Sequence, residues 1–138
     1  MNRFSKMKMA AGLILMVVGL QQAHADVVVI VSAKSTATTM TAEEISQIYL
    51  GKSTAMKPVD NAAQSPTRSQ FYTKVAGKDD AQVKAIWSKL VFTGKATPPK
   101  ALPSNAEVVK AVAADPNAIG YVDKAAVEPS VKIVYEVK

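Results

Sequence analysis

The chain has 138 residues, with 17 basic against 11 acidic side chains and a formal net charge of +6. It contains no Cys and one His, His24. Disulfides, thiol nucleophiles and zinc sites built on His or Cys therefore have almost nothing to draw on.

Residues 1–25 read as a secretory signal peptide. Arg3, Lys6 and Lys8 come without an acid, the run AAGLILMVVGL at 10–20 is apolar, and Ala23-His24-Ala25 is a small-x-small cleavage signal. The run is shorter than the roughly 20 residues of a membrane span, so no span is expected after cleavage. The expected product is one domain, 26–138, periplasmic or secreted, with room for a single core. It keeps fourteen basic and eleven acidic residues, a net charge of +3. That is too mild for the basic stripe of a nucleic-acid binder. It also lacks His24, which removes Ser-His and Cys-His nucleophilic sites. No cofactor or metal motif is present, and the chain reads as a non-enzyme.

Val27–Val31, VVVIV, is a continuous β-branched run that predicts a strand buried on both faces. Thr41-Ala42-Glu43-Glu44 is a capping box, and Ile45, Ile48 and Tyr49 recur at helical spacing before Gly51. Met56–Val59 predicts a short strand. A helix is predicted from about Pro66 to Ala76, ended by Gly77. Asp79 or Asp80 caps a third helix, with the stripe Val83, Ile86, Trp87, Leu90 and Val91. Thr93–Ser104 is a Gly/Pro-rich loop. Ser104-Asn105-Ala106-Glu107 is a second capping box, leading into Val108, Val109, Val112 and Ala113. Ala118–Val122 is a short apolar strand, followed by a short helical stretch over Asp123–Val127. Val131, Ile133, Tyr135 and Val137 alternate as one face of a closing strand. Interleaved strands and helices argue for an α/β sandwich.

Two polar stretches could bind a ligand. Ser65-Pro66-Thr67-Arg68 sits where a loop enters a helix, with Ser65 at the N-cap and Pro66 at N1. The first-turn amides through Ser69, two hydroxyls and the Arg68 guanidinium could hold a small anion there. The same residues also suffice simply to start a helix. The loop Ser32–Thr41 leaves a buried strand and feeds a helix, a common ligand position in α/β proteins. Ser35, Thr36, Thr38, Thr39 and Thr41 offer hydroxyls there, although a solvated loop would look the same.

Three segments, TAEEISQIYLGK (Thr41–Lys52), SPTRSQF (Ser65–Phe71) and PNAIGYV (Pro116–Val122), resemble in order and spacing the phosphate-binding proteins of ABC transporters. FTGKATPP resembles their shorter, single-lobe members. The resemblance implies one periplasmic-binding-protein-like lobe, a central mixed sheet flanked by helices. It implies binding of a small oxyanion, phosphate or similar, for ABC-type uptake. Ser65 and Thr67 match that family's anion loop; Arg68 is an addition of this chain, with Ser69 beside it and Ser35 and Thr36 closing one side. The Arg and Asp that precede the loop in full-length members fall at Asn61 and Ala63, so the family's buried Asp is expected to have no match. Partners implied are an ABC permease or a second copy of the chain supplying the missing wall. The alternative is a non-catalytic secreted or periplasmic interaction module that keeps the lobe without the ligand.

Overall fold

The computed structural model describes residues 26–138; the expected signal peptide lies outside the described residues. Five strands form one sheet: β1 (Val27–Ser32), β2 (Lys57–Asp60), β3 (Lys100–Ala101), β4 (Ala118–Asp123) and β5 (Val131–Glu136). Their spatial order is β3-β2-β4-β1-β5. β2 runs parallel to β3 and β4, whereas β1 is antiparallel to both β4 and β5. The sheet is mixed, as expected, and β1 runs against the other four strands.

Each residue of β1 is buried, which is why its sequence shows no polar alternation. Val27, Val29 and Val31 face one core with Ile119 and Tyr121, under α1 (Ala42–Tyr49), α2 (Pro66–Phe71) and α3 (Asp80–Phe92). Val28 and Ile30 face a second core under α4 (Asn105–Ala114). Burying one such Val or Ile contributes roughly 1.5–3 kcal/mol. Gly120 lets α4 approach: a Cβ there would stand 2.8 Å from both Val108 Cγ1 and Val112 Cγ2.

The helix starts follow their capping residues. The Thr41 hydroxyl accepts from the Glu44 amide, and the Ser104 hydroxyl from the Glu107 amide. Asp79 and Gln82 cap α3 reciprocally. Gly51 combines a φ of 77° with crowding, since a Cβ would meet Leu90 Cδ1 at 2.7 Å. It ties the end of α1 to α3, where the Trp87 indole donates to the Tyr49 carbonyl at 3.0 Å.

Four details differ from the sequence reading. The helix after Pro66 is α-helical only to Phe71, and Tyr72–Ala76 continue it as a π-helical turn ended by Gly77 at φ 64°. The α3 stripe does not stay inside: Val83 and Trp87 are buried, but Val91 is 52% exposed. The loop 93–104 contains β3, whose two exposed residues pair Lys100 with Val59 and Ala101 with Asp60. In β5, Val29 pairs with Tyr135 and Ile30 with Ile133, which leaves Val134 as a bulge residue. The bulge switches faces, so Val131 and Ile133 join the α4 core while Val134 and Val137 join the other.

Candidate functional site

β2 ends on Asp60, and its carboxylate is only 3% exposed as a residue. Three donors hold it. The Tyr72 hydroxyl donates to Oδ2 at 2.7 Å, the Tyr121 hydroxyl donates to Oδ1, and the Asn61 amide donates to Oδ1 at 2.9 Å. Burial, then the Asp60 charge, pushes both phenols well above their ordinary pKa, so they stay protonated donors. Tyr49 is shifted the same way for the same two reasons, and its hydroxyl donates to the Val59 carbonyl at 2.8 Å. Phe71 stacks on Tyr121 with ring centroids 3.9 Å apart. Tyr49 meets Phe71, Tyr72 and Tyr121 edge-on, which fixes the rings that aim the hydroxyls. Asn61 completes the layer by donating to the Asn105 side chain at 2.8 Å, the first residue of α4.

Arg68 lies on this network from α2. Its guanidinium is 5.6 Å from the Tyr72 ring centroid, a cation–π distance. Nη2 is 3.9 Å from Asp60 Oδ2, and Nε is 4.0 Å from Asp80 Oδ1. Both carboxylates are near enough to attract and too far to accept a hydrogen bond. Nε is buried and has no hydrogen-bond partner. The guanidinium is held in place electrostatically with donor capacity unused.

It opens on a cavity of about 820 Å³ between the Ala63-Gln64 loop and α3. Its lining combines the polar Asp60, Gln64, Asp80, Lys84 and Ser88 with the apolar Val83, Trp87, Val91 and Phe92. Trp87 therefore serves the core and the cavity together. Among the described residues, no group of three or more His, Cys, Asp or Glu side chains is placed to hold a metal ion. Among the same residues, no helix is long and apolar enough to cross a membrane.

Of the candidate ligand-binding residues named from the sequence, Arg68 alone lines this cavity. Ser65 is the N-cap of α2, but its side chain makes no capping bond. Thr67 is buried at 6% exposure. The Ser69 side chain is exposed and its amide donates to the Ser65 carbonyl at 3.2 Å, so that amide is consumed by the helix. Ser35 and Thr36 are not brought to the site. They border a separate hollow of about 330 Å³ with Pro116 and Asn117. The reason is strand direction: β1 is antiparallel to β4, and β4 is parallel to β2. The loop after β1 thus leaves the opposite end of the sheet from the loop after β2.

Asp60, with its buried carboxylate, is a residue that the sequence reading did not single out. Its sequence signal was an acid closing a predicted strand, directly before the polar loop. Tyr121 reads only as part of a short apolar strand, since nothing local marks a phenol that will meet a carboxylate 61 residues away.

The fold has solved counterparts. An ABC-type phosphate transport receptor from Vibrio cholerae superposes with a TM-score of 0.62 at 20% identity, over 79% of this chain and 45% of the receptor. A putative phosphate ABC transporter substrate-binding protein from Clostridium perfringens, solved with bound phosphate, gives 0.63 at 22% identity, over 79% and 44%. The chain has the fold of one lobe of a phosphate-binding receptor. A possible phosphate binding protein from Planctomyces limnophilus gives 0.58 at 19% identity, over 79% and 40%. The chain thus spans less than half the length of each receptor it resembles. No family model matches it, and no curated protein does.

Proposed function

We propose that the chain is an exported, non-enzymatic solute-binding protein that holds a small oxyanion, phosphate or similar, at Arg68 for ABC-type uptake. The observation that carries this reading is the Arg68 guanidinium, which lines the cavity while both neighbouring carboxylates stand beyond hydrogen-bonding distance. A guanidinium whose carboxylate neighbours are out of hydrogen-bond range keeps charge-assisted bonds to offer an oxyanion. Asp60 supports the arrangement without competing for the ligand. Its oxygens already take two phenols and an amide, so it steadies the guanidinium at 3.9 Å by charge alone.

Further donors lie one turn away. The first amides of a helix have no intrahelical acceptor, and the Ser65 hydroxyl is not spent on capping them. Ser65 and Thr67 lie outside the cavity lining, so they are proposed as donors only for a ligand that reaches past Arg68 to that turn. The likeness to transport receptors and substrate-binding proteins supports binding rather than catalysis. A single lobe offers one wall, so a permease or a second copy is the proposed source of the other.

A second reading, an interaction module without a ligand, draws on Phe92, whose ring stands 92% exposed at the cavity mouth. Thermal melts of residues 26–138 with phosphate and sulfate separate the two. Oxyanion binding raises Tm with ligand concentration. A Tm indifferent to every oxyanion favours the interaction module.

A further inference from the structure

We infer that the oxyanion bound at Arg68 carries an apolar organic group, as an aryl phosphonate or phosphate monoester does, and is not inorganic phosphate alone. The inference rests on the oxyanion reading above and adds the ligand class.

Size is the first ground. A cavity of about 820 Å³ falls within the roughly 300–1,000 Å³ that suits drug-sized molecules, far more than one tetrahedral anion occupies. Polarity is the second. Arg68, Lys84 and Gln64 stand among the cavity residues beside the carboxylates of Asp60 and Asp80, with an apolar set of Val83, Trp87, Val91, Phe92 and Pro99. Lys84 makes no ion pair among the described residues, so a second cation of the cavity lining is uncommitted. Exposure is the third. Val91 and Phe92 are the large hydrophobics left exposed among the described residues, at 52% and 92%, and both border this cavity. They extend the α3 stripe past the core and into the cavity wall. Trp87 is rigid there because its indole is bonded to the Tyr49 carbonyl. An anionic head on the guanidinium with an aromatic tail against this wall satisfies both halves, which inorganic phosphate does not.

The test is titration of residues 26–138 with phenylphosphonate, inorganic phosphate and benzyl alcohol, followed by calorimetry and by the emission of Trp87, the single Trp of the chain. Phenylphosphonate is expected to bind at least tenfold tighter than phosphate and to shift the Trp87 emission. Val91→Asp, at an exposed position, is expected to bring the two affinities together. Equal affinities in the unmodified protein overturn the inference and leave the oxyanion reading standing. Benzyl alcohol binding as tightly as phenylphosphonate overturns it too, because the anionic head would then contribute nothing. Failure of phosphate and phenylphosphonate alike overturns both readings. A stable dimer that Phe92→Asp dissolves would assign the apolar wall to a second copy, again overturning the inference.

Discussion

The Arg68 guanidinium stands 3.9 Å from the Asp60 carboxylate, inside Coulombic reach and outside hydrogen-bonding distance. Asp60 is turned instead toward Tyr72, Tyr121 and the Asn61 amide. The pair is therefore asymmetric: the acid is satisfied and the base is not.

That asymmetry separates two substitutions. Tyr121→Phe removes a buried donor to Asp60 and leaves the carboxylate short of a partner. It is expected to lower unfolding free energy by roughly 1–3 kcal/mol, read as a lower urea midpoint. Arg68→Lys keeps the charge but loses the planar fork, so stability should change little while oxyanion affinity falls.

The buried phenols predict sensitivity to alkali. Their folded pKa values are raised, so the folded state keeps protons that the unfolded chain releases from about pH 10 upward. Stability is fully present below that pH and declines above it, by about 1.4 kcal/mol per pH unit for each tyrosine of the three. Phenolate absorbance from Tyr49, Tyr72 and Tyr121 should appear only as the far-UV helix signal is lost. The chain has a fourth tyrosine, Tyr135, outside this network, so more than one phenolate per chain in a still-folded protein would contradict it.

Gly120→Ala tests the close approach of α4 to the sheet. The new Cβ would stand 2.8 Å from two Val methyls, so helix or strand must shift. The expected cost is about 1–3 kcal/mol, measured by urea unfolding. Gly94→Ala has no such neighbour within 4 Å and serves as the comparison, its cost coming only from φ 67°.

Much of this framework is legible in the sequence because its causes are local. Val27–Val31 is apolar at every position because both faces of β1 are covered. Thr41, Asp79 and Ser104 mark helix starts through contacts three residues away. What escapes has non-local causes. The direction of β1 is invisible in VVVIV, yet it sends Ser35 and Thr36 to the far end of the sheet from Arg68. The bulge at Val134 depends on pairing with β1, and β3 exists only because Lys100 and Ala101 meet β2. The role of Asp60 is not local either, because it depends on the fold bringing Tyr72 and Tyr121 against it.

The central claim is that Arg68 offers unspent donors to an oxyanion. Calorimetric titration of residues 26–138 with phosphate, run beside Arg68→Ala of matching circular dichroism, tests it most directly. Saturable binding is expected, weakened at least tenfold in the variant, about 1.4 kcal/mol. Equal affinity in the two proteins, or no binding to the unmodified one, would contradict it.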